Sequence, residues 1–178
     1  MHGIIFNQLR TYAQERMGEQ GWETLVKEAK LPSRIYLAFQ SYPDEEVGAL
    51  VHAASRVMGR SVRFLLEDFG EFIVPGLMKI YRGVIQPGWG ILEVVENVER
   101  IHEKVRKDPH AQPSRLDCHR VDASTVRVVY ASPRKMCGMG IGLVRGLALA
   151  LGQRADVKEK QCMHDGAPYC EFIVRRVG

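Results

Sequence analysis

The chain has 178 residues, 46% hydrophobic and 26% charged, with a formal charge of +4. That length suits one domain with a substantial core. The modest charge, scattered and without a basic stripe, excludes nucleic acid as an expected partner. The most apolar run, Gly138 to Leu151, is interrupted by Arg145 and is too short to span a bilayer, so no membrane anchor is expected. The start Met1-His2-Gly3-Ile4-Ile5-Phe6 has no signal-peptide character, and a cytoplasmic location is the expectation.

In chain order, Ile4, Ile5, Leu9 and Tyr12 fall at helical spacing, and a short helix from Trp22 to Ala29 ends at Lys30-Leu31-Pro32-Ser33. Ser41-Tyr42-Pro43-Asp44-Glu45 reads as a helix start, with proline early and acids in the first turn. That helix should run to Met58 and stop at Gly59. The pattern predicts two more helices, Ser61 to Gly70 and Glu71 to Tyr81, then a loop at Gln86–Gly90. One continuous helix should then carry Ile91, Val94, Val95, Val98, Ile101, His102 and Val105 on its buried stripe, broken by Asp108-Pro109.

From Ser114 the period changes to two. Leu116 to Val121 and Thr125 to Ser132 should pair around Asp122-Ala123-Ser124. Cys137 to Leu151 should be a glycine-containing helix, and Val157 to Met163 and Tyr169 to Val174 a second hairpin. The fold class expected is α+β: a helical N-terminal lobe, then an antiparallel sheet crossed by a helix. The chain is expected to be a single domain, 1–178, with a helical subdomain over about 1–60 and the remainder over about 61–178.

Two features carry chemistry. Along an extended strand Tyr130, Ser132 and Arg134 would project the same way, placing two hydroxyls and a guanidinium fork where they suit carboxylates. His102 is a lone imidazole on an apolar stripe. A carboxylate clamp and a buried imidazole are what a haem with two propionates requires. His110 and His119 are rival ligands, one in a loop and one on a strand. Cys118 and His119 are adjacent on a strand and point to opposite faces, a poor arrangement for a nucleophile and its base, so no enzyme is expected. Four cysteines in a chain of this kind suggest thiols or metal ligands more than disulfides.

The chain resembles the H-NOX (haem nitric oxide/oxygen-binding) family, which includes stand-alone bacterial gas sensors and the haem domain of soluble guanylate cyclase. The resemblance runs end to end. It is carried by Met1-His2-Gly3-Ile4-Ile5-Phe6-Asn7, Ser41-Tyr42-Pro43-Asp44-Glu45, Phe69-Gly70, Ile101-His102-Glu103-Lys104-Val105-Arg106-Lys107 and Pro113. The Tyr130/Ser132/Arg134 motif and Cys162-Met163-His164-Asp165-Gly166 with Cys170 complete it. It implies haem b with His102 on the iron, Tyr130, Ser132 and Arg134 on the propionates, and Pro113 packed against the porphyrin.

The resemblance further implies a distal pocket built from Ile5, Leu9, Ile73, Leu77, Met139 and Leu143. None has a side-chain hydrogen-bond donor, and Met139 stands where oxygen-binding members have a tyrosine. The function it implies is a sensor of NO, binding CO also and discriminating against O2, that releases His102 and signals to a partner such as a histidine kinase, a cyclic-di-GMP enzyme or a chemotaxis receptor. Some bacterial members hold a structural zinc on three cysteines and a histidine. Here Cys137, Cys162 and Cys170 match, Glu159 replaces the histidine, and Glu159 or His164 is left to complete the set. The competing reading is a haem-free, zinc-containing regulatory domain that binds an apolar small molecule in the same cavity.

Overall fold

A computed structural model describes residues 1–107 and 113–178. The expected helix break at Asp108-Pro109, and His110, lie outside the described residues. Helix α1 (Gly3–Met17) buries Phe6, Leu9, Tyr12 and Ala13, and α2 (Gly21–Glu28) buries Trp22 and Leu25 against it. An irregular segment follows, pinned by Tyr36. Its ring stacks on Phe6 with centroids 4.1 Å apart, and its hydroxyl donates to buried Glu46 at 2.6 Å. Helix α3 (Asp44–Met58) opens with three acids that suit the positive end of its dipole. It ends where Gly59 takes φ 63°, a left-handed conformation that costs glycine little.

The two helices expected between Ser61 and Tyr81 are one, α4 (Val62–Tyr81), with Pro75 inside it. Gly70 is therefore not a stop. It allows close approach: a Cβ there would lie 2.3 Å from the Met139 carbonyl oxygen. After a 3-10 turn at Arg82–Val84 the opposite correction applies, because the single helix expected to carry His102 is two, α5 (Ile91–Glu96) and α6 (Val98–Val105). The bend falls at Asn97, whose side-chain amide donates to the Glu93 carbonyl at 2.9 Å and competes for a helical acceptor.

Strands β1 (Leu116–Asp122), β2 (Thr125–Tyr130), β3 (Arg154–Gln161) and β4 (Cys170–Val177) form one antiparallel sheet in the order β1-β2-β4-β3. Helix α7 (Cys137–Ala150) connects β2 to β3 and packs on both β3 and α4. At Gly142 a Cβ would meet the Glu67 carbonyl oxygen at 2.0 Å, so α4 and α7 touch main chain to main chain. Two apolar clusters result. One lies among α1 to α4; the other lies between the sheet, α5 and α7. No described helix is long and apolar enough to cross a membrane.

Candidate functional site

A cavity is lined by residues of both clusters. The space open to the centres of water molecules is about 370 Å³, and the envelope of its walls is larger. One wall comes from α6 and the chain leading into β1: His102, Pro113, Ser114, Leu116 and Cys118. The lining also includes Ile5 from the first turn of α1, Leu77 and Tyr81 from α4, and Met139 and Leu143 from α7. The lining is overwhelmingly apolar, which suits a large flat hydrophobic ligand.

His102 Nδ1 lies 3.0 Å from the Ser114 carbonyl oxygen. A carbonyl accepts only, so Nδ1 carries the proton and Nε2 is left with its lone pair for a metal. Burial holds the His102 pKa below its ordinary value, outweighing the opposite pull of Glu99 and of the Ser114 carbonyl. The neutral imidazole that ligation requires is thus favoured. This second partner on the ring is the usual way proteins fix a ligating histidine.

Of the two rival histidines, His119 is less suited. His119 is exposed and pairs with Asp117 at 2.8 Å. Cys118 does reach the cavity, but burial, with Asp117 and Glu99, pushes its thiol up to about 12, so it stays protonated. Tyr81 was missed by the sequence reading; it stands one turn beyond Leu77 on α4 and brings a phenol to the wall.

Leu9 and Ile73 do not line the cavity. Each sits one helical turn deeper than a neighbour that does, Ile5 and Leu77 respectively, and is packed in the N-terminal cluster. The clamp motif is also built differently from the expectation. Strand β2 ends at Tyr130, since Pro133 has no N–H to continue a ladder, and 132–135 form a turn with Lys135 N donating to the Ser132 carbonyl at 3.1 Å. Tyr130 and Arg134 line the cavity and Ser132 is not among its lining residues, so strand alternation does not bring the three side chains to one face. Tyr130 Oη accepts from Met136 N at 3.1 Å, at the start of α7, while its own proton remains to be donated. Ser132 is buried and its Oγ accepts from Arg134 N at 3.4 Å.

Arg134 lines the cavity and already holds a carboxylate: its Nε donates to Asp44 at 2.7 Å, and the other oxygen of Asp44 lies 2.6 Å from the Met1 amino group. Burial pushes Asp44 up, but the amino group and Arg134 prevail and hold its carboxyl below the usual range. The guanidinium thus displays the affinity expected of it, for an acid from α3.

A second cluster lies where α7 begins. Cys137, Cys162, Cys170 and Glu159 bring ligand atoms within 4.8 Å of one another, and the Cys137–Cys162 and Cys162–Cys170 sulfur separations are both 3.7 Å. The edge of a tetrahedron with zinc–sulfur bonds of about 2.3 Å is about 3.8 Å. Residues three apart on a regular strand face opposite ways, but a bulge between Glu159 and Gln161 restores Glu159 and Cys162 to one side. Glu159 Oε2 pairs with Arg63, and Oε1 is buried with no hydrogen-bond partner among the described residues. His164 stays apart, its Nε2 2.9 Å from the Lys135 carbonyl oxygen.

With this geometry in view, comparison with known proteins is direct. The family model described as Haem-NO-binding matches residues 2–159. An H-NOX protein of Shewanella oneidensis in its Fe(II)NO state superposes with a TM-score of 0.91 at 24% identity over all of both chains. A triple mutant of an S. oneidensis H-NOX protein in the Fe(II) state gives 0.90 at 25% identity, over 100% of this chain and 97% of that one. The unliganded Fe(II) H-NOX protein of K. algicida gives 0.88 at 22%, with the same coverage. No curated protein matches the chain. The family match spans nearly the whole sequence, and the chain belongs to the Haem-NO-binding (H-NOX) family of haem-based gas sensors.

Proposed function

We propose that this protein is a haem-based sensor of NO that also binds CO, discriminates against O2, and signals by releasing His102. In this reading the cofactor is haem b, His102 is the axial ligand, Tyr130, Ser132 and Arg134 take the propionates, and Pro113 packs against the ring. The observation that carries the proposal is a shared cavity: a neutral imidazole with its Nδ1 proton already committed to Ser114 lines the same space as Ile5, Leu77, Met139 and Leu143. Bound O2 draws negative charge and depends on a donor that these four residues lack, whereas NO binds ferrous iron without one.

Haem, when bound, supplies the iron that takes NO and whose bond to the axial imidazole NO weakens. His102 would hold that iron, and on release would move with α6, which is a separate helix from α5 with Asn97 between them. Arg134, which holds Asp44, would take a propionate in its place, one carboxylate for another, so the guanidinium would keep an acidic partner. The partner that reads the change is a signalling protein such as a histidine kinase, a cyclic-di-GMP enzyme or a chemotaxis receptor.

We further assign the three-cysteine cluster as a structural zinc site with Glu159 as fourth ligand, supported by the 3.7 Å sulfur spacings and the unsatisfied Oε1. The test of the main proposal is the absorption spectrum of the reduced protein. Addition of NO should give the band of a nitrosyl haem without a histidine ligand, and exposure to air should leave no stable oxygenated form. A stable oxygenated spectrum overturns the selectivity.

A further inference from the structure

Three carboxylates at intervals of three residues, Glu93, Glu96 and Glu99, line the side of α5 and α6 that faces β1. Arg120 on β1 donates from Nη2 to Glu93 at 2.9 Å and to Glu96 at 2.8 Å, with Nε also reaching Glu96 at 3.1 Å. One turn on, Glu99 Oε1 accepts the backbone N–H of Leu116, the first residue of β1, at 2.6 Å. Its Oε2 takes both terminal nitrogens of Arg106, at 3.1 and 3.0 Å, which fixes the carboxylate plane. Glu99 Oε1 also lies 3.6 Å from His102 Nδ1.

The placement of two of these bonds is what matters. His102 Nδ1 reaches the Ser114 carbonyl and Glu99 reaches the Leu116 N–H, so both cross from one turn of α6 to the same three residues of chain. A single bond is a pivot, about which a short helix can swing; two side by side fix its angle. Leu116 lies on an edge strand, and its N–H, turned away from β2, has the Glu99 carboxylate in place of a neighbouring strand. A hydrogen bond to an ionised acceptor is among the stronger contacts available to a protein.

We propose that Glu99 is a positioning residue for His102: it bolts α6 to the start of β1, holds the carbonyl that orients the imidazole, and opposes the departure of the helix. The inference rests on the reading of His102 as axial ligand. Glu99 touches neither iron nor gas; it acts through the placement of the ring.

The experiment compares Glu99→Ala, Glu99→Gln and Arg120→Met in the full-length protein. After NO addition to the reduced, haem-loaded forms, Glu99→Ala should lose the His102-ligated nitrosyl band about tenfold faster than the wild type. Glu99→Gln keeps an oxygen that can accept the Leu116 N–H and should restore most of the difference. Arg120→Met touches only the α5 contacts and should change the rate by less than about threefold. In the haem-free protein, Glu99→Ala should speed amide exchange across Val98–Val105, with unfolding by urea showing that the rest of the fold is intact. Wild-type release and wild-type exchange in Glu99→Ala overturn the proposal. If the wild type keeps His102 on the iron under NO, the proposed release mechanism fails. Glu99 is then judged on the exchange data and on the iron–histidine stretching frequency of the reduced protein, which a loosened ring should lower.

Discussion

The two walls of the cavity are held by different physics. On the His102 side, directional bonds do the holding: Ser114, Leu116, Arg106 and Arg120 meet three glutamates and an imidazole at hydrogen-bond distances. On the other side close packing dominates, through apolar side chains on α1, α4 and α7, the last two touching main chain to main chain at Gly70 and Gly142 with one ion pair, Arg145 to Glu67 at 2.7 Å, at their edge. Directional contacts are made or lost nearly all at once and suit a wall that has to let go. Close packing deforms little and suits a wall that selects what may enter.

The contrast is most sharply broken at His102 itself. Replacing it with Gly should remove the histidine-ligated spectrum of the reduced protein outright, and added imidazole should restore it; an unaltered spectrum would mean that iron is held elsewhere. Next in size, Gly142→Ala forces a methyl against the Glu67 carbonyl and should destabilise the fold by about 2–3 kcal/mol, read from the midpoint of urea unfolding. Met139→Tyr puts a donor on the selective wall and should raise oxygen affinity by roughly tenfold or more, measured by oxygen titration.

A smaller effect concerns acid. Because the Asp44 carboxyl lies below its ordinary range, its contribution to stability is fully present above that range and is lost as pH falls through the lowered value. Asp44→Asn should therefore flatten the acid limb of the stability profile below about pH 4 and leave the neutral plateau nearly level. The smallest expected change is at Tyr81, whose phenol stands one turn beyond Leu77. Tyr81→Phe should leave the preference for NO over O2 as it is, and a shift toward oxygen binding in the tyrosine form would make Tyr81 the donor that this wall was taken to lack.

Local pattern was a good guide to most of the helices and to both hairpins, because caps, turn residues and periodicity are encoded within a few positions. It misled where a residue had a distant purpose. Gly70 looks like a terminator and is instead the place where α7 comes closest to α4. Asn97 sits inside an unbroken apolar stripe, yet its amide turns back on Glu93 and bends the helix. Leu9 and Ile73 share the periodicity of Ile5 and Leu77 and differ only in depth, which no spacing records. The partners of the clamp and of the cysteine cluster were out of reach for the same reason: Arg134 and Asp44 are 90 residues apart, and Arg63 and Glu159 are 96 apart. Glu99 is one acid among several on its helix until Leu116 is brought beside it. The nearness of Glu159 to the cysteines was legible as one of two alternatives, His164 being the other, since Glu159 stands three before Cys162.

The touching main chains of α4 and α7 have a consequence for anyone reshaping the pocket. Leu77, Met139 and Leu143 hang from a frame whose gauge is set at Gly70 and Gly142 by carbonyl oxygens and glycine α-carbons, with the Leu66 and Val74 side chains filling the seam at Gly138 and Gly146. Exchanging those three residues changes the furnishing of the cavity and leaves its width alone. A set of variants there would accordingly isolate the chemistry of the wall from its dimensions, a separation that pockets lined by interleaved side chains rarely permit.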